Sequence, residues 1–275
     1  MLKGHDVSFH TIPYWFYCSK VLTKVLRYHH MTIRYEANPP KILPGVNIDE
    51  SISKFIEKIK SISTKCDAVH LTENVLGYQR VSPIKVGKII RKEIPDLPIT
   101  VSLRVRDKTQ KQIESFVDEV IEGSFSGILI LMGDPPQDGQ KDSGLFPSQV
   151  VKDLKEKQIN SKIDLYLSIS NKPDFSKIGK KISAKPKGFM TQVIQNIDQV
   201  KTLSENLKEY SIIPIVLYPS EKNEKSAKFL NLNLEQFREN FPEFLSQVHQ
   251  ITGDILITSP SDFSGLNEFL EKNQI

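Results

Sequence analysis

From residue 31 onward the chain alternates short apolar runs with longer stretches whose apolar residues recur at spacings of three and four, and it does so eight times. The short runs predict strands at Thr32–Tyr35, Asp67–Leu71, Ile99–Leu103, Gly127–Met132, Ile163–Leu167, Gly188–Gln192, Ile212–Leu217 and Asp254–Ile257. They are too continuous in apolar character for half-exposed strands, and read as strands buried on both faces of a parallel sheet. Between them, Ile48, Ile52, Phe55, Ile56, Ile59 and Ile62 mark one helix, and Ile113, Phe116, Val117, Val120 and Ile121 another. Ser82-Pro83 supplies an N-cap and a first-turn proline for the helix carrying Ile84, Ile89 and Ile90. Val150, Val151 and Leu154 mark the fourth helix, and Ile197, Val200, Leu203 and Leu207 the sixth; a short helix is expected near Asp174–Ala184. Helical patterning runs from Ser226 to Val248, with Pro242 expected to break or kink it, and Asp262–Lys272 forms the last helix. Eight units in about 245 residues match a (β/α)8 TIM barrel. The competing doubly wound open sheet is disfavoured, because no GxGxxG follows any strand. The reading is one α/β catalytic barrel over residues 31–275, preceded by an N-terminal extension, residues 1–30.

Composition narrows the partners. The net charge of +4 is small for 275 residues, and no Lys/Arg cluster is interleaved with aromatics, so nucleic acid is not an expected partner. No apolar run approaches the length that spans a bilayer, so no membrane role is expected. Two cysteines, Cys18 and Cys66, without a CxxC, fit a reducing, cytoplasmic compartment. Six scattered histidines without HxH or HxxxH spacing give no metal site; His29-His30 is the one cluster. In residues 1–30, Val21, Leu22, Val25 and Leu26 form one helical stripe, which suits a cap on the barrel. The other reading, preferred here, takes Met31 as the biological start.

In a barrel of this kind chemistry gathers where strands end. Those ends read Glu36-Ala-Asn-Pro-Pro40, Thr72-Glu73-Asn74, Arg104-Val-Arg-Asp107, Gly133-Asp134-Pro135-Pro136, Ser168-Ile-Ser170, Thr191-Gln192 and Tyr218-Pro219-Ser220. Glu36 and Asp134 each come shortly before a Pro-Pro, on strands one and four. A carboxyl in a dry mouth has a raised pKa and serves as a general acid, and a second carboxylate nearby pushes the two values apart. Asp134 alone also suits a strand-ending turn. Arg104, Arg106 and Asp107 suit an ion-pair cluster as well as a site, and His70 suits a satisfied barrel-wall histidine. Gly139 and Gly144 give the Pro135–Phe146 loop freedom to close over a cofactor.

Four segments, in order, resemble the methylenetetrahydrofolate reductase family. They are Arg34-Tyr-Glu36-Ala-Asn-Pro-Pro40; Ala68-Val-His-Leu-Thr72 with Arg80-Val-Ser-Pro83; Ser102-Leu-Arg-Val-Arg-Asp107; and Ile128-Leu-Ile-Leu-Met-Gly-Asp-Pro-Pro136, with Phe189-Met-Thr-Gln192 as a weaker fifth. The resemblance implies a flavin-dependent reduction of a 5,10-methylene-tetrahydropterin to its 5-methyl form, with FAD as cofactor and NAD(P)H as expected electron donor. It implies Glu36 as the general acid, Asp134 beside the flavin and pterin, and Gln192 as a substrate-binding residue. Flavin contacts fall on Thr72, Ser102, Met132, Gly133, Asp134, Phe146, Asp174 and Lys181. Ser102 replaces a His, Met132 an Arg or Thr, and Phe146 a Tyr, while Ser168 and Lys172 replace a Tyr and a His. These departures leave room for FMN or a deazaflavin, and for a second reading as a non-catalytic, complex-subunit pterin-binding barrel. A homo-oligomer or a complex partner is compatible with either. An unrelated aldolase-type barrel would need a Schiff-base lysine inside the barrel, and no predicted strand core carries one.

Overall fold

The structure, a computed structural model, describes residues 32–74, 78–134 and 142–273. The expectations for residues 1–30, including Cys18 and the stripe Val21–Leu26, and for Pro135, Pro136 and Gly139, lie outside these residues. Eight strands, β1 (Thr32–Ala37), β2 (Ala68–Leu71), β3 (Ile99–Arg104), β4 (Gly127–Leu131), β5 (Asp164–Ile169), β6 (Gly188–Val193), β7 (Ser211–Leu217) and β8 (Asp254–Thr258), close into one parallel barrel in sequence order. β8 returns to β1 through the pairs Thr32↔Asp254 to Glu36↔Thr258. This is the (β/α)8 architecture the alternation predicts.

The helices are α1 (Ile48–Ile62), α2 (Pro83–Glu93), α3 (Gln110–Glu122), α4 (Pro147–Glu156), α5 (Gly179–Ser183), α6 (Ile197–Asn206), α7 (Glu224–Phe229), α8 (Glu235–Arg238), α9 (Phe241–Thr252) and α10 (Phe263–Asn273). Local chemistry sets their starts. Asn47 Oδ1 accepts from the amides of Asp49 and Glu50 at the head of α1, Ser82 caps α2 ahead of Pro83, and Thr109 with Gln112 forms a reciprocal capping box on α3. Pro242 does not kink one long helix. It sits in the first turn of α9, where its missing N–H costs nothing, and the segment before it folds as the short α7 and α8. The expected helix near Asp174–Ala184 is only the five residues of α5.

Period-two alternation splits each strand between two cores. Ile33, Val69, Val101, Ile130, Leu167, Phe189 and Ile257 face outward and pack under the helices in one continuous cluster with Ile59, Ile90, Val120 and Leu203. A smaller cluster, Leu129, Tyr166, Met190, Ile213 and Leu256, fills the inside from β4 to β8. The inside of β1, β2 and β3 is polar instead, carrying Arg34, Glu36, His70, Thr100, Ser102 and Arg104. At its floor Arg34 Nε donates to Asp254 Oδ1 at 2.8 Å, and an Arg34 terminal nitrogen to Oδ2 at 2.7 Å. This fork lets two charges lie inside the barrel with their hydrogen bonds satisfied. The barrel interior is therefore split lengthwise, one wall polar and one apolar.

Candidate active site

The split interior opens into a cavity of about 760 Å³ at the C-terminal ends of the strands. Glu36, Thr72, Ser102, Met132, Gly133, Asp134 and Gln192 all line it, so seven of the positions singled out from sequence meet at one cavity. Leu129, Leu131, Met190 and Ile215 supply its apolar side.

Glu36 is the fifth residue of β1, paired with His70 on β2 and Thr258 on β8. Thr258 Oγ1 donates to Glu36 Oε1 at 2.7 Å. Burial raises the Glu36 pKa above its ordinary value, and the Thr258 bond opposes the rise only in part. The raising agent is desolvation. A second carboxylate is not among the causes, so the mutually repelling pair expected from Glu36 and Asp134 is not the source of the shift.

His70 is fully buried, with Nδ1 2.9 Å from Thr100 Oγ1 and Nε2 2.9 Å from Ser102 Oγ. Desolvation, with Arg34 adding repulsion, pushes its pKa down to about 3. It is the satisfied wall histidine that the sequence suggests, and it holds Ser102 at the cavity surface. Thr72 is likewise buried, and its hydroxyl donates to Asn38 Oδ1 at 2.7 Å.

The far rim is built by Arg104. Its guanidinium donates to the carbonyls of Asn74, at 2.7 Å, and Asp134, at 3.2 Å, and meets Asp107 at 3.3 Å. Its backbone N–H donates to Glu73, whose other oxygen takes Lys108 Nζ at 2.6 Å. The Arg104–Asp107 cluster is thus structural, and it fixes the two loops that carry Glu73-Asn74 and Gly133-Asp134. Arg106 stands apart, paired with Asp142. Gly133 has φ +84°, and a Cβ there would lie 2.6 Å from Arg104 Nε. Asp134 itself is exposed at the rim.

Gln192 is exposed beside the buried Thr191 at a register shift between Met190 and Val193. Thr191 Oγ1 accepts the Ile215 amide at 3.0 Å, replacing a ladder partner and turning Gln192 to the cavity edge.

Three expected flavin contacts are off this wall. Phe146 is 60% exposed at the head of α4, with Lys180 Nζ 6.0 Å from its ring. Asp174 is exposed and bonded by Ser176 and Lys177. Lys181 is half-buried and donates to the Ser168 carbonyl at 2.6 Å, its pKa lowered by burial. Ser168 itself lines the cavity, inside β5 rather than after it.

Sequence reasoning missed Asn38, Asn171, Gln195, Phe229 and Thr258. Thr258 was findable by the same strand-end rule applied to β8. Asn38 lies within the Glu36–Pro40 segment and carried its own signal. Phe229, 71% exposed, reaches the cavity from the end of α7 through tertiary folding alone. Among the described residues no group of His, Cys, Asp and Glu is arranged to hold a metal ion, and no helix is long and apolar enough to cross a membrane. Cys66 is buried and free.

No protein-family model matches this chain, and neither does any curated protein. Solved structures do share its fold. An uncharacterised protein from Clostridium thermocellum, described as binding two copies of 5-methyl-5,6,7,8-tetrahydrofolic acid, aligns at TM-score 0.58 and 16% identity over 92% of this chain and 98% of its own. A protein from Aquifex aeolicus VF5 aligns at TM-score 0.55 and 10% identity, over 92% of this chain and 96% of its own. A 2,3-dimethylmalate lyase of the PEP mutase/isocitrate lyase superfamily aligns at TM-score 0.54 and 9% identity, over 93% and 84%. At these identities the likeness is one of fold, and it places the chain among single-domain (β/α)8 barrels.

Proposed function

We propose that this barrel binds a reduced pterin of the tetrahydrofolate type and serves the reduction of its 5,10-methylene form to the 5-methyl form. The observation that carries the reading is Glu36, a carboxyl with a burial-raised pKa on the wall of the cavity that also holds Asp134 and Gln192. A protonated carboxyl inside a cavity can give its proton to a substrate amine near neutral pH. Protonating the bridged nitrogen opens the five-membered ring to an iminium cation. Asp134, an acid at the rim of the same cavity, stabilises that cation electrostatically. The Gln192 amide has both a donor and an acceptor to offer a pterin edge. Ligand binding by the Clostridium thermocellum neighbour supports the pterin as ligand class.

The apolar lining supports a flavin as the cofactor of this reading. Leu129, Leu131 and Met190 give it an apolar side, and Thr72, Ser102, Met132 and Gly133 are the lining residues that would hold the ring. When bound, the flavin supplies the hydride that reduces the methylene carbon, with NAD(P)H as its own reductant. The residues of this chain supply the proton, the counter-charge and the exclusion of water by the apolar wall. Purified protein should carry, or take up, FAD or FMN with its visible absorbance, and should form 5-methyl-tetrahydropterin from the methylene form. A colourless protein inactive with either flavin would sink the reductase reading.

A second reading has its own observation. Phe146, Asp174 and Lys181 stand off the cavity wall, so the outer part of a dinucleotide flavin loses its expected contacts. A pterin-binding barrel that works within a larger complex, without turning over alone, follows from that. Calorimetric titration with a methylene-tetrahydropterin separates the two: binding without turnover, unchanged in Glu36→Gln, supports the second.

A further inference from the structure

We propose that Thr258 is the positioning residue of Glu36: it pins Oε1 against the barrel wall and leaves the transferable proton on Oε2. The inference rests on the acid role given to Glu36 above. Thr258 closes β8 and is the register partner of Glu36 across the β1–β8 seam. Its hydroxyl reaches Oε1 at 2.7 Å, while its own carbonyl accepts the Tyr218 amide at 2.9 Å. The side chain is buried on the inner face of β8, beside Glu36, and is not among the cavity-lining residues. A Thr at a strand position also has few rotamers, which keeps the hydroxyl in place.

A hydroxyl has one proton to donate. With that proton given to Oε1, the acid proton of Glu36 belongs on Oε2, for which no bond to a described residue is found. On transfer, the O–H bond of Glu36 Oε2 breaks, its proton goes to the substrate nitrogen lone pair, and the electron pair remains on the carboxylate. The Thr258 bond then becomes charge-assisted and stronger. Thr258 therefore favours the state after transfer, and it offsets part of the rise that burial imposes. The other polar groups around Glu36 are already committed. His70 on β2 is neutral and bonded at both nitrogens. Arg34, two residues earlier on β1, is paired with Asp254, and Glu73 on the β2 side is paired with Lys108. Asp134 stands exposed at the far rim. Thr258 is thus the group whose bond tunes Glu36 directly.

The test follows the Glu36 carboxyl itself, by ¹³C-glutamate NMR with Glu36→Gln to assign the signal. Thr258→Val keeps the branched shape and removes the hydroxyl; Thr258→Ala serves if the valine variant does not fold. Either should raise the Glu36 midpoint by about one pH unit, the scale of one hydrogen bond to a charged group. Thr258→Ser should restore it. A wild-type midpoint in a folded Thr258→Val or Thr258→Ala protein overturns the inference. Binding of 5-methyl-tetrahydropterin to the wild type is measured separately by calorimetry. A shifted midpoint without any pterin binding would overturn the proposed function and still support the placement of Thr258.

Discussion

Glu36 and His70 are register partners on β1 and β2, and burial drives both toward their uncharged forms. The carboxyl rises and the imidazole falls for one reason, the cost of charge in a low-dielectric interior. The consequence is an uncharged stretch of polar wall around Glu36 and His70, with the paired charges of Arg104 and Glu73 further out at the rim. A neutral acid there can protonate a substrate without first breaking an ion pair. Arg34, just below, is charged, and the Asp254 fork neutralises it.

Glu36→Gln should leave pterin binding within a few-fold of wild type and reduce turnover by about 10²–10⁴-fold, the usual cost of losing a general acid. Stability carries a second signature. The folded pKa of Glu36 lies above its unfolded value near 4.5, so the native state holds more protons between those two values. Stability from this group is full below the unfolded pKa and is lost as pH rises through the folded one. Midpoints of thermal unfolding recorded against pH should fall less steeply above pH 4.5 in Glu36→Gln than in wild type. Parallel curves for the two proteins would show that burial does not raise this carboxyl.

His70 gives the opposite sign. Its folded pKa, about 3, lies below the ordinary 6.5, so stability from this group is present above the unfolded value and is lost as pH falls toward the folded one. Imidazole resonances of His70 should not titrate between pH 5 and 8. His70→Ala should destabilise by roughly 2–4 kcal/mol, through a cavity and the unpaired hydroxyls of Thr100 and Ser102. Two-dimensional NMR and urea unfolding check the two claims.

The barrel was legible because each strand is an apolar run and α1, α2, α3 and α6 carry their own side-chain caps, so local and tertiary signals agree. Glu36, Thr72, Asp134 and Gln192 were legible for a topological reason: residues at the ends of parallel strands converge wherever the sheet closes. Phe146, Asp174 and Lys181 were placed by resemblance alone, and their surroundings are local: a helix start, an Asx turn, and the Ser168 carbonyl. The Arg104 network was only half legible. Its charges were visible in sequence, but the two carbonyls it holds, Asn74 and Asp134, carry no side-chain signal. Phe229 ends α7 and lines the cavity, and no strand-end rule points to a helix terminus.

Arg104→Lys tests that network. A lysine keeps the charge near Asp107 but cannot reach both carbonyls, because it lacks the planar fork. The variant should lose about 2–3 kcal/mol of stability, the scale of hydrogen bonds made by a buried charged group. Amide exchange should rise in the loops around Asn74 and Asp134 while the α6–β7 side stays protected. Uniform exchange in both regions would show that Arg104 does not hold the rim.

Gly133→Ala asks whether the rim tolerates a side chain. Two costs coincide there. The backbone sits at φ +84°, a left-handed conformation that costs an L-residue about 1–2 kcal/mol. The new Cβ would also lie 2.6 Å from Arg104 Nε and 3.1 Å from its Cγ, near the rigid end of a side chain already fixed by Asn74 and Asp134. Relief requires Arg104 to move, and that releases the Asp134 carbonyl. The expected result is a loss of roughly 2–4 kcal/mol in urea unfolding, combining backbone strain with a disturbed buried bond. Pterin affinity should fall with it, since Asp134 follows directly in the chain. A variant with unchanged stability but weakened pterin binding would instead mean that the added methyl group points into the ligand's space.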